Sequence, residues 1–196
     1  MHALGNEHPS KAEWRDRLLR ARADQAAESH AREASALVAA VSKVTAETVC
    51  AYLPFGTEPG TTAFVDALAA GGARVLLPVI RSRTEPLDWA EYTGEADLVP
   101  SRFRGIREPG GKRLGTDAVG AAELVLVPAL AVDHRGVRLG RGAGHYDRSL
   151  VFAAAGTAFL AVVRDEELVE RLPGEAHDVR MTGALTPGRG LVELPV

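Results

Sequence analysis

The chemistry of this chain concentrates around Gly140-Arg141-Gly142-Ala143-Gly144, which follows an apolar run and precedes His145-Tyr146-Asp147. Small residues let backbone N–H groups close on an anion, and a helix opening near His145 or Tyr146 would add positive partial charge at its N-terminus. Arg138 and Arg141 would supply charge-assisted hydrogen bonds, and Asp147, early in that helix, could hold a Mg²⁺ that bridges phosphates. The pattern suits phosphoryl chemistry. It is not a Walker A loop, because no Gly-Lys-Ser/Thr follows, and Gly140-x-Gly142-x-Gly144 lacks the spacing of the dinucleotide fingerprint. As a bare glycine motif it reads equally well as a structural turn.

Other positions carry a functional and a plain reading side by side. Lys11 and Arg15 are four apart, so both project from one helix face. With Arg17, Arg20 and Arg22 nearby, the residues by themselves read as a solvated basic face. Glu58 sits in a Gly/Pro turn after an apolar run and by itself reads as a surface loop acid. Leu53 and Phe55 line a pocket or pack in the core. Asp147 is a metal ligand or a helix-start acid, and Asp178 by itself reads as a loop acid. Arg138 could pair with Asp133 instead of a ligand. Trp89, Tyr92 and Phe103 are either ligand contacts or packing, and His134 and His177 either proton carriers or loop histidines. Cys50, the single cysteine, lies in Val49-Cys50-Ala51 and reads as a buried small hydrophobe.

The elements that must position these groups follow from periodicity. Helices are expected from Ser10, with Trp14, Leu18 and Leu19 on one side, over about 29–44, over 61–70 before Gly71-Gly72, and over about 146–155. Strands are expected at 48–53, 73–80, 87–92, 123–130 and 157–163. The run over 123–130 is apolar on both faces, as for a strand covered by helices. Residues 93–115 read as a long surface loop, and the tail to Val196 as loop with short extended pieces. Strands alternating with helices predict a layered α/β domain with a mostly parallel sheet, one domain over 10–196 behind a flexible tail at 1–9.

The segment LVPALAVDHRGVRLGRGAGHYDRSL resembles the signature of the 5-formyltetrahydrofolate cyclo-ligases, also called 5,10-methenyltetrahydrofolate synthetases. Four further blocks resemble that family in order: Lys11-x-x-x-Arg15, YLPFGTEPGT from Tyr52 to Thr61, FRGIREP from Phe103 to Pro109, and HDVRMT from His177 to Thr182. The resemblance implies an α/β/α domain similar to the NagB/RpiA/CoA transferase-like fold. It implies an ATP-dependent ligase that phosphorylates the formyl oxygen of 5-formyltetrahydrofolate and closes the ring through N10. It also implies roles. Arg141 and Tyr146 act at the reacting groups. Lys11, Arg15, Arg138 and the stretch Gly140 to Asp147 (including Gly142, Ala143, Gly144 and His145) bind ATP. Leu53, Phe55, Glu58, Gly144 and His145 meet the folate, and Asp147 and Asp178 hold Mg²⁺. The chain departs from the family's usual pattern at His145, where Tyr is common, at Ala143, and at Thr182.

Composition bounds the alternatives. A net charge of −3, from 23 basic and 26 acidic side chains, offers no general field for nucleic acid, despite Arg135, Arg138, Arg141 and Arg148. No stretch of 18 apolar residues or secretory leader is found, so no membrane partner and a cytoplasmic monomer are expected. The competing readings are a folate- or nucleotide-binding protein without turnover and another α/β phosphate-binding enzyme of related fold, such as a sugar-phosphate isomerase.

Overall fold

In a computed structural model, residues 9–195 are described. The tail expected at 1–9 lies, but for Pro9, outside the described residues.

The apolar runs of the sequence become a seven-stranded sheet. Its members are β1 (Thr48–Cys50), β2 (Arg74–Val79), β3 (Asp88–Glu91), β6 (Leu124–Pro128), β9 (Ala158–Val162), β11 (Gly183–Thr186) and β12 (Gly190–Glu193), in the order β12-β11-β9-β6-β1-β2-β3. The five central strands run parallel, and β12 and β3 pair antiparallel at the two edges. Register is fixed by burial on both faces: in β6, Leu124 and Leu126 pack on one side and Val125 and Val127 on the other.

Helices α2 (Ala27–Val41) and α3 (Thr62–Ala70) cover the first face. Leu37 and Val41 of α2 and Phe64 and Leu68 of α3 pack against Val49, Leu77, Leu126 and Leu160. A fully buried leucine such as Leu126 contributes roughly 1.5–3 kcal/mol. The second face is covered by shorter pieces: Val119 in a 3-10 turn at Thr116–Ala121, Leu150 after α4 (His145–Ser149), and Met181. Cys50 is fully buried there, and burial pushes its thiol up to about 12, which makes it a core residue rather than a nucleophile.

Helix α1 (Lys11–Ala23) starts at a capping box, in which Ser10 and Glu13 bond each other's backbone N–H. It buries Leu18 against a small sheet of β7 (Ala131–Asp133), β8 (Arg138–Leu139) and β10 (Leu168–Val169). This sheet carries the glycine loop, so α1 and that loop are neighbours.

Four elements differ from expectation or refine it. α2 spans Ala27–Val41 rather than 29–44. The helix expected over 146–155 is α4, five residues long, followed by a 3-10 turn at Leu150–Phe152. The Ser149 hydroxyl donates to the His145 carbonyl and accepts from the Leu87 N–H, so side-chain bonds take over where the helix would continue. The loop at 93–115 contains a hairpin, β4 (Leu98–Pro100) with β5 (Arg107–Pro109). The C-terminal tail contributes β11 and β12 to the main sheet. No helix of the described residues is long and apolar enough to cross a membrane.

Candidate active site

β1 and β6 are parallel neighbours whose outgoing chains leave in opposite directions, β1 toward β2 and β6 toward β9. In open α/β sheets the crevice beyond the carboxyl ends of such strands is where ligands bind. A cavity of about 830 Å³ opens here. It is lined by Lys11 and Arg15 of α1, Leu53, Phe55 and Glu58 after β1, Arg138 of β8, Gly140 through Gly144, His145, Tyr146 and Asp147 of α4, and Asp178. The folding of the chain thus gathers around one space every residue to which the resemblance gives an ATP, folate or metal role.

The Glu58 loop is held from several sides. The Tyr52 hydroxyl donates to the Pro59 carbonyl at 3.2 Å, and its ring packs 5.6 Å from that of Phe64. The Phe55 N–H donates to Glu58 Oε2 and the Glu58 N–H returns to the Phe55 carbonyl, both at 3.2 Å. Glu58 is only 6% exposed, and burial raises its carboxyl above the usual range against the pull of Arg141. Arg141 Nε lies 3.3 Å from Glu58 Oε1, and its guanidinium sits 4.9 Å from the centre of the Phe55 ring. One ion pair therefore joins the loop after β1 to the glycine loop.

The glycine loop depends on backbone freedom at two positions. Gly142 has φ +101° and Gly144 φ +68°, conformations that a side chain would strain. At Gly144 a Cβ would also come within 2.7 Å of Arg148 Nη1. Arg15 Nε donates to the Gly140 carbonyl at 2.9 Å and so ties α1 to the loop. The helix expected after this loop would supply part of the anion attraction. A five-residue helix carries little macrodipole, so the positive charge here comes from Arg15, Arg138, Arg141 and Lys11.

Arg138 is buried and donates to Asp147 Oδ2 at 3.0 Å and to the Pro128 carbonyl at 3.3 Å. Its partner is Asp147 and not Asp133, which is bound instead by Arg135. The Arg138 guanidinium also lies 5.7 Å from the centre of the Tyr146 ring, and its Nε meets no partner among the described residues. Burial, with the nearby Glu58 charge, pushes the Tyr146 phenol far above its usual pKa, so Tyr146 can donate a hydrogen bond but does not ionise.

Lys11 Nζ lies 3.2 Å from Asp178 Oδ2 and 3.3 Å from Glu175 Oε1. Burial alone would raise the Asp178 pKa, but the Glu175 N–H and the Lys11 ammonium outweigh it and hold it below the usual carboxylate range. Oxygens of Glu175 and Asp178 and a nitrogen of His177 lie within 4.8 Å of one another, a spacing compatible with a cation. His145 Nδ1 lies 3.4 Å from the Glu85 carbonyl; burial, with help from Arg148, lowers its pKa and favours the neutral ring.

Of the three aromatic residues with two readings, Phe103 lines the cavity, whereas Trp89 and Tyr92 are buried in the core. His134 is exposed outside the cavity, and His177 lies at its edge. Sequence reasoning missed Arg22, Tyr52, Ile106, Arg107 and Glu175, which also line the cavity. Tyr52 lies in YLPFGTEPGT and Ile106 in FRGIREP, whereas Arg22 is one of several arginines of α1 with nothing in the sequence to set it apart.

This geometry places basic side chains, carboxylates and apolar groups around one cavity. A sequence profile of the 5-formyltetrahydrofolate cyclo-ligase family matches residues 7–187. The 5-formyltetrahydrofolate cyclo-ligase of Mycolicibacterium smegmatis is 48% identical over 191 residues, covering 94% of this chain and 97% of that protein. The Escherichia coli K12 protein of the same name is 32% identical over 148 residues, 74% of this chain and 81% of that one. Among solved structures, the 5,10-methenyltetrahydrofolate synthetase of Aquifex aeolicus superposes with a TM-score of 0.78 at 24% identity, over 95% of this chain and 93% of that one, a likeness of fold. With the profile spanning nearly the whole chain and a relative at 48% identity, the chain belongs to the 5-formyltetrahydrofolate cyclo-ligase family.

Proposed function

We propose that this chain converts 5-formyltetrahydrofolate to 5,10-methenyltetrahydrofolate with cleavage of ATP to ADP and phosphate. The observation that carries this reading is the Arg141–Glu58 pair at the switch point, where a pterin-suited carboxylate meets a phosphate-suited loop in one cavity. The formyl oxygen attacks the γ-phosphorus as the bond to ADP breaks, leaving an iminium phosphate at N5. N10 then adds to the formyl carbon and loses its proton, and the C–O bond breaks to release phosphate. Phosphorylation turns a poor leaving group into a good one, so the protein's work is positioning and charge neutralisation.

In this reading Arg141, Arg15, Lys11 and the N–H groups of Gly142 to Gly144 face the ATP phosphates. Arg138 holds Asp147 in place, and the neutral Tyr146 phenol donates toward the reacting oxygens. Glu58 accepts from the pterin N–H groups, with Leu53, Phe55 and His145 around the folate ring. Mg²⁺ fits this donor set, because it takes one or two carboxylates and completes its shell with phosphates and water. Asp147 Oδ1 accepts no hydrogen bond among the described residues and is the carboxylate oxygen open to a cation. Asp178 would become a second ligand once Lys11 turns to phosphate. The ion, when bound, supplies charge neutralisation on the phosphates. In this proposal the protein acts on small molecules, as a monomer, in the cytoplasm and without nucleic acid or membrane.

The test is stoichiometry. ADP and phosphate should each form in a one-to-one ratio with the 5-formyl compound consumed. Folate binding without ADP formation would support a non-catalytic binding protein instead.

A further inference from the structure

Beneath the Glu58 loop lies a buried charge cluster that the proposed chemistry does not use. Arg22 of α1, and Arg164 and Glu167 in the turn after β9, are 4%, 2% and 3% exposed. Arg22 forks onto Glu167, Nε to Oε1 at 2.6 Å and Nη2 to Oε2 at 2.8 Å. Glu167 Oε2 also accepts the Arg164 N–H at 2.8 Å, and Arg164 Nη1 lies 3.5 Å from Glu167 Oε1. Arg164 Nε donates to Glu33 Oε2 of α2 at 2.8 Å, and its Nη2 lies 3.4 Å from His30 Nδ1.

The cluster ends on two backbone carbonyls. Arg22 Nη2 donates to the Ala129 carbonyl at 2.6 Å, and Arg164 Nη1 to the Thr57 carbonyl at 3.3 Å. Ala129 follows β6, and Thr57 precedes Glu58. Both chains that leave the switch point are therefore pinned by one network of two arginines and two carboxylates. Stability alone does not account for it, since apolar side chains of similar volume often stabilise as well as a buried ion network or better. What the network adds is direction: planar guanidinium forks fix where their acceptors lie.

We infer that Arg164, bridged through Glu167 to Arg22, is a positioning residue that sets the Glu58 carboxylate for the folate. The inference rests on the proposed role of Glu58. Arg164→Lys keeps the charge but cannot reach Glu33, Glu167 and Thr57 together. The dissociation constant of 5-formyltetrahydrofolate should rise about tenfold, the size of a typical coupling within one network, while that of MgATP stays within about twofold. In a Glu58→Ala background, the same change should shift folate affinity by less than about twofold, because the carboxylate it positions is gone. A purely structural role would lower thermal stability with the folate constant unchanged, or weaken both ligands equally; either result overturns the inference. If Arg164→Lys does not fold, Glu33→Gln on the half-buried side of the cluster replaces it. Its expected effect is a rise of about threefold in the folate constant alone, and no change overturns the inference in the same way. Because the constants are measured by binding, they remain readable if no methenyl product forms. Absence of turnover would count against the proposed reaction and not against the positioning role.

Discussion

Arg141 and Glu58 face each other across the cavity, yet each is proposed to serve a different substrate. Splitting the pair is then a cost common to both binding events, borne by whichever substrate arrives first. The second finds its partner group already free, so the two substrates should bind with positive coupling, equal in both directions. Arg141 Nε lies 3.3 Å from Glu58 Oε1. At an effective dielectric constant near 20, unit charges at that separation attract by about 5 kcal/mol. The Arg141 side chain is 38% exposed and that of Glu58 only 7%, so water screens one end of the pair. Exposed pairs are worth only about 0.2–1 kcal/mol, and this half-buried one should sit somewhat above them, at about 1–2 kcal/mol or roughly 5- to 30-fold in affinity. The assay is calorimetric titration with Mg²⁺ and an ATP analogue whose β–γ bridge resists cleavage, with and without saturating 5-formyltetrahydrofolate. Wild type should bind the analogue about 5- to 30-fold more tightly with folate present, and Glu58→Gln should reduce the ratio below about twofold. A wild-type ratio of one, or a ratio untouched by Glu58→Gln, would refute the reasoning.

Further outcomes follow from the same geometry. Arg141→Ala and Asp147→Ala should each lower turnover by about 100-fold or more, with melting temperature shifted by only a few degrees; steady-state rates and thermal melts on the same samples check this. Burial raises the Glu58 pKa on folding, so the acid form favours the fold. That contribution is complete below about pH 4.3 and fades as pH climbs through the folded pKa, so wild type should lose urea stability relative to Glu58→Gln as pH rises above about 4.3. Gly136→Ala places a Cβ 2.5 Å from the Met181 carbonyl oxygen at φ +76°, and urea denaturation should show a loss of more than about 1 kcal/mol.

The sequence announced the central strands because β1, β2, β6 and β9 are apolar runs long enough to stand out from their surroundings. β11 did not stand out: Gly-Ala-Leu-Thr is four residues long, and its burial comes from neighbours supplied elsewhere in the chain. The hairpin of β4 and β5 was masked by glycine and charge, because three-residue strands carry too few side chains for alternation to show. The site residues were legible for a different reason. Lys11, Glu58, Arg141 and Asp147 lie in blocks that resemble the family's motifs, and the fold brings all four to one cavity. Arg22 and Arg164 were not legible. Nothing in a helix rich in arginine marks which one turns inward, and the carboxylate that draws Arg22 in, Glu167, lies 145 residues away. Asp133 illustrates the same limit, since its acceptors serve Leu172, Val137 and Arg135 and leave Arg138 for Asp147.

The central claim is tested most directly by near-ultraviolet absorbance. Purified protein is mixed with 5-formyltetrahydrofolate and MgATP, and the conjugated methenyl product is followed as it forms. The account predicts absorbance that rises only when folate, ATP and Mg²⁺ are all present and that fails to rise in Arg141→Ala. A folded wild-type protein that binds 5-formyltetrahydrofolate and ATP but produces no such absorbance would contradict it.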